Sequence, residues 1–352
     1  MSRPPQRESH HFVPRMYLKH FAGADGRLLT YRTLVSDPRV PLWKSSSLRG
    51  VALHAHLYTR IVTGEETDEV ERWFDREFEA PAEDALQRAV SVPGARLSPG
   101  DWSRLIRFAA AQDVRTPARL LEQLQRWQST LPGIIESTLR RSVQQLEEAR
   151  EAGELPESPP PTPSEGLPFR ITAIEKAGQD GGELKAETIA GRGLWLWAIQ
   201  HLLTKTAKVL HQHRWTILIA PPGLEWFTTD DPVIKLNFYG EGQYDFKGGW
   251  GNNGTEILLP LSPRHLMYTK VGGRRPQRGT VVEEGHAEML RRFIAEHAHR
   301  MIFAASPDPA IPALRPRLAD AERFRSEREQ WRTWHREQSD AERRLMGYDE
   351  DP

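Results

Sequence analysis

Not one cysteine occurs among the 352 residues. That absence removes disulfides, thiolate metal ligands and cysteine nucleophiles together. Net charge is missing as well, because 48 lysines and arginines balance 48 aspartates and glutamates. A neutral chain is not one whose main business is coating nucleic acid, although a local basic groove stays compatible with it. Long apolar runs are also absent. The opening residues, Met1 to Ser9, lack the apolar segment of a signal peptide, and no stretch approaches the ~20 apolar residues of a membrane span. The expectation is a cytoplasmic protein with no membrane partner.

What is present is enough apolar side chain, 38% of the residues, to bury a substantial core in one large domain or two smaller ones. The segment from Arg214 to Leu261 organises the reading. Two β-branched apolar runs, Trp215 to Ala220 and Val233 to Asn237, flank a turn at Pro221-Pro222-Gly223 and a corner at Trp226-Phe227-Thr228-Thr229-Asp230-Asp231-Pro232. Thr228, Thr229, Asp230 and Asp231 put hydroxyls and carboxylates where a strand leaves a sheet. Such residues also make ordinary turns by bonding their own backbone, which is the competing role for at least one aspartate. More strands are expected from Thr255 to Leu261, His265 to Thr269 and Met301 to Ala304, with a helix from Val282 to His299.

Upstream, His10-His11-Phe12-Val13-Pro14 leads into a short helix with Tyr17, Leu18 and Phe21 on one face. Neutral imidazole can ligate a metal or accept a proton; capping the helix or bonding to the core is the alternative for both histidines. His54 and His56 precede Leu57-Tyr58-Thr59, which reads as a strand. They share a face there and can chelate a metal, whereas in a helix or loop they do not. Helical spacing runs from Glu65 to Val90, from Ser98 to a junction at Arg115-Thr116-Pro117, on to Ala149, and again from Leu194 to Leu210. Gln112 and Arg115 stand on one helical face at that junction if the first helix continues that far. Arg115 can grip a carboxylate or phosphate through two parallel bonds, or tie two helices together through backbone carbonyls.

Five prolines between Pro156 and Pro163 mark residues 152–168 as a mobile insertion. Residues 316–352 read as a charged, largely helical and solvent-exposed tail. The expected fold is α+β: a single domain over residues 1–315 in which a largely antiparallel C-terminal sheet packs against a helical layer.

Taken together, the segment from His10 to Phe21, Leu57-Tyr58-Thr59 before an acidic helix, Gln112 with Arg115-Thr116-Pro117, Trp226 to Val233, and Leu259-Pro260-Leu261-Ser262-Pro263 resemble the bacterial family called domain of unknown function 4238. The resemblance spans roughly residues 10 to 305 in the same order. That family usually reads Thr-Ser-Asp-Asn-Pro where this chain has Thr228-Thr229-Asp230-Asp231-Pro232, so the match singles out Asp230 over Asp231. It implies no settled reaction. It does mark His10, His11, Gln112, Arg115, Thr228 and Asp230 as matching polar positions of the family pattern.

If those positions meet, they can hold a divalent metal and a phosphate. The leading expectation is a hydrolase of nuclease type, cleaving phosphodiesters with metal assistance and taking nucleic acid as substrate. His10 or His11 is then base or ligand, Asp230 a ligand and Arg115 a phosphate clamp, with Gln112, Thr228 and Thr229 contacting substrate. The competing expectation is a non-enzymatic binding or interaction module in which these groups brace the scaffold.

Overall fold

A computed structural model describes residues 9–91, 96–153, 168–175 and 182–348. The organising segment forms the expected antiparallel sheet. Its five strands lie in the order Thr216–Ile219, His265–Lys270, Glu256–Pro260, Ile234–Gly240 and Gln243–Asp245. Every residue of Glu256–Pro260 is buried, and a strand covered on both faces has to read as the continuous run Ile257-Leu258-Leu259 rather than as an alternation.

The strand Met301–Ala304, grouped with that sheet from sequence, belongs to another. It lies between Thr228–Thr229 and Arg27–Arg32 in a second antiparallel sheet that ends on Trp43–Ser47. The corner therefore leaves the first sheet and becomes an edge of the second. Around it packs a helical layer made by Pro99–Val114, Pro117–Glu151 and Arg192–His201. One apolar cluster takes Leu105 and Phe108 from before the proline-rich stretch and Trp195 and Leu210 from after it. Most of that stretch, 154–167, lies outside the described residues. The α+β class, antiparallel sheet against helices, is the observed one.

Local signals explain the helix junction. Ser98 accepts the backbone N–H of Asp101 while the Asp101 carboxylate accepts that of Ser98, a reciprocal cap for the helix Pro99–Val114. Thr116 then caps the next helix, with Pro117 in its first turn.

Two expectations fail. Leu57-Tyr58-Thr59 is a turn rather than a strand, and His56 sits in it with φ at 55°, so His54 on Leu53–Ala55 and His56 do not share a strand face. The cause is that the Tyr58 N–H donates to the His10 ring instead of to a neighbouring strand. The terminal helix Ala321–Met346 is not simply exposed, since Trp334, Ser339 and Glu342 are buried. Arg192 lies wholly out of water and takes its counter-charge from Glu342, which draws the helix onto the body of the protein. Among the described residues no helix is long and apolar enough to cross a membrane.

Candidate functional site

The strand Ser9–His11 pairs with Leu53–Ala55 so that His10 faces His54 in register. The His10 Nδ1 accepts the Tyr58 N–H at 2.9 Å, and its ring lies 5.5 Å from the Tyr58 ring and nearly parallel to it. His11 is kept neutral by burial and by the neighbouring Arg15, both of which lower its pKa. Its Nε2 is buried without a hydrogen-bond partner among the described residues.

Arg115 has no exposed surface. It donates to the carbonyls of Phe12 at 3.0 Å and His11 at 2.8 Å and to the Glu79 carboxylate at 2.7 Å, with its guanidinium 4.7 Å above the Phe74 ring. A guanidinium spent in this way bolts the N-terminal segment to the helix junction and has no face left for a phosphate. The expected phosphate clamp is therefore a backbone tie. Gln112 is also fully buried, and neither atom of its amide has a partner among the described residues. It does not reach substrate in this geometry.

The corner is equally committed. Tyr17 donates to the Pro260 carbonyl at 2.6 Å, so at the 2.6 Å contact between the two hydroxyls Thr228 is the donor to Tyr17. Thr229 accepts the Asp231 N–H across the turn. The Asp230 carboxylate accepts three backbone N–H groups, from His299 at 3.0 Å, Arg300 at 2.8 Å and Met301 at 3.0 Å. Burial pushes its carboxyl up to about 7, against the pull of those amides.

Asp231, set aside by the sequence comparison, carries the charge. Its carboxylate accepts the Thr116 hydroxyl at 2.9 Å and the Arg119 guanidinium at 2.6 and 3.1 Å. Burial opposes its ionisation, but the Arg119 guanidinium holds its carboxyl below the ordinary range. The His297 Nδ1 lies 3.0 Å from the Asp231 carbonyl and the Nε2 lies 3.2 Å from Arg119, which fits a neutral ring protonated on Nδ1. Nearby, the buried Asp113 accepts Lys235 at 2.6 Å and the Trp250 indole at 2.7 Å. Sequence reasoning missed Asp113, Arg119, Lys235 and His297. Only Arg119 left a signal, as the second arginine of Arg115-Thr116-Pro117-Ala118-Arg119 on the first turn of a helix.

Thus the structure brings the N-terminal segment, the helix junction and the corner together, but through bonds that fasten one segment to another. The metal set expected from His10, His11 and Asp230 is not assembled, because Asp230 is turned onto amides and His10 onto Tyr58.

Among the described residues, one other group of three has donor atoms close enough to hold an ion: His56, Glu66 and His335. Its hydrogen bonding argues against a metal. Arg192 donates to the His335 Nδ1 at 2.8 Å, which leaves the proton of a neutral ring on Nε2, facing Glu66 at 3.4 Å. A metal-bound histidine needs an acceptor behind it, not a buried guanidinium.

What stays open beside the corner is a pocket of about 580 Å³. Asp230 and His299 reach its wall, the terminal helix roofs it with Phe324, Glu327, Arg328, Trp331 and Arg332, and Phe12, Leu34, Leu53 and Met301 give it apolar surface. Trp331 packs edge-on against His54 at 4.4 Å, and Arg300 is gripped by both oxygens of Glu327. Arg32 and Arg328 also line it and donate no side-chain hydrogen bond among the described residues.

A search of curated proteins and a search of solved structures each return no match. One family model matches residues 9–308, which takes in the N-terminal segment, the helix junction and the corner but not the terminal helix. This chain belongs to the family described as "Protein of unknown function (DUF4238)".

Proposed function

We propose that this protein is a binding module that takes a small amphipathic acid, with a carboxylate or phosphate head and an aromatic body, into the pocket beneath its terminal helix. The observation that carries the reading is the lining. A concave space of ligand size, about 580 Å³, joins the guanidinium groups of Arg32 and Arg328, which donate no side-chain hydrogen bond among the described residues, to the apolar faces of Phe12, Leu53 and Trp331. Of the polar groups that match the family pattern, His10, Arg115, Thr228 and Asp230 are by contrast spent on fastening the scaffold.

Calorimetric titration with aryl carboxylates and aryl phosphates tests it. Binding should weaken about tenfold or more in Arg32→Ser and Arg328→Ser, the scale of one lost charge-assisted contact. Equal affinity in both variants, or no binding by the wild type, would sink the reading.

A second reading keeps the hydrolase, as metal-assisted phosphodiester cleavage with nucleic acid as substrate. One observation favours a base in the pocket wall: the Asp230 carboxyl is pushed up to about 7, the range in which a base works near neutral pH. Turnover of bis(p-nitrophenyl) phosphate, with and without Mn²⁺, should then disappear in a folded Asp230→Asn variant. Turnover that survives this change removes Asp230 from the chemistry.

A further inference from the structure

On another part of the surface, the first turns of the helix Pro99–Val114, the residues leading into Thr216–Ile219 and the loop after His265–Lys270 enclose a second cavity, of about 680 Å³. Its lining includes Arg214, Arg274, Arg275, His211 and His213, together with Trp102 and Trp215, and it includes no carboxylate. In a chain whose charges balance overall, three guanidinium groups around one space without an acid are a local excess of positive charge.

The neighbouring charges do not cancel it. Asp101, beside Trp102 in the chain, is already held by Arg88 at 2.6 Å and by the Ser98 cap. Arg275 donates to the Trp215 carbonyl, while the side chains of Arg214 and Arg274 form no hydrogen bond or ion pair among the described residues. The His213 Nε2 is fixed at 2.5 Å from the Trp250 carbonyl, so that ring braces the wall. Trp102 is half-buried and gives the cavity an aromatic face beside the arginines.

We infer that this cavity binds a nucleotide, with its phosphates on Arg214 and Arg274 and its base against Trp102. Guanidinium is the side chain best matched to phosphate oxygens, and a base stacks on an indole without needing a particular sequence. The volume lies within the range of small-molecule sites. The same chemistry is offered by a free nucleotide and by one residue of a single-stranded nucleic acid. The cavity shares no lining residue with the pocket beneath the terminal helix, so its failure leaves that reading untouched.

The experiment measures ADP by calorimetry and a labelled oligothymidylate by fluorescence anisotropy, on the full chain at low salt. At least one probe should bind, and the Arg214→Ser/Arg274→Ser double variant should weaken it about tenfold or more, because each lost phosphate contact removes a charge-assisted bond. Both positions are exposed, so the variant keeps its fold, and its circular dichroism and melting curve verify that. Arg39→Ser, an exposed arginine that lines neither pocket, should leave affinity unchanged. Binding of ADP alone assigns the site to free nucleotide, and tighter binding of the oligonucleotide assigns it to a strand; either supports the inference. Three outcomes overturn it: neither probe binds, the double variant binds as well as wild type, or inorganic pyrophosphate displaces ADP with equal affinity and so shows that the indole contributes nothing.

Discussion

Asp230 and Met301 are bonded to each other in both directions: the Asp230 N–H donates to the Met301 carbonyl at 3.0 Å, and the Met301 N–H donates to the Asp230 carboxylate at 3.0 Å. The corner thus clasps the start of the neighbouring strand, and His299 and Arg300 add two more amides to the same carboxylate.

Removing that carboxylate strands three backbone donors. Asp230→Ala should destabilise the protein by about 2 to 4 kcal/mol, while Asp230→Asn, which keeps one acceptor oxygen, should lose less. Urea unfolding of the two variants checks the order. Equal loss would mean that the amides are not what Asp230 is for.

Arg115 should be as costly to remove. Arg115→Met leaves Glu79 without its cation and the carbonyls of His11 and Phe12 without donors, and should cost about 3 to 5 kcal/mol. Arg115→Lys cannot span three acceptors with a single ammonium group and should recover less than half of that loss. A phosphate clamp on the surface would instead tolerate methionine with little change in melting temperature.

Acid should loosen the fold between about pH 6.5 and pH 4. Burial lowers His20, His299 and His335 to about 4, so in that window the unfolded chain binds more protons and stability falls as pH drops. Asp230 works in the opposite sense: raised to about 7, it favours the folded state at low pH and loses that contribution as pH rises. The lowered histidines outnumber the one raised carboxyl and give a lower urea midpoint at about pH 5 than at about pH 7. A higher midpoint at pH 5 would contradict the assignment.

The terminal helix depends on one buried pair. Arg192 reaches Glu342 at 2.9 Å, Ser339 at 3.0 Å and His335 at 2.8 Å. Glu342→Ala should cost about 3 kcal/mol by leaving that guanidinium unpaired, and the loss should be local. Hydrogen exchange should accelerate over residues 321–346 while the five-stranded sheet stays protected. Uniform acceleration would show that the helix unfolds only with the whole molecule.

Much of the architecture was legible because it rests on local signals. Ser98 with Asp101 and Thr116 with Pro117 announce their helix starts, and the run Ile257-Leu258-Leu259 announces a strand buried on both faces. The site was less legible, since side-chain commitments are made at long range. Nothing near Arg115 says that its acceptors are 103 and 104 positions away, and nothing near Asp230 says that it will meet amides about seventy residues later. Residue type pointed to these positions, and the partners the structure gives them are largely backbone groups far away in the chain. The turn at Tyr58 was misread for the same reason, because its N–H goes to a histidine 48 positions earlier.

The distance between Tyr17 and its partners bears on how the chain is made. The segment around Tyr17 is made before its partners: its hydroxyl bonds are to Thr228 and Pro260, separations of 211 and 243 residues, and its carbonyls wait for Arg115. At ribosomal rates of about 5 to 20 residues per second, residues 9–21 emerge more than ten seconds before the corner exists to receive them. Residues 9–21 consequently wait for their partners, and a nascent chain halted short of Thr228 carries this strand and helix with those two bonds unmade.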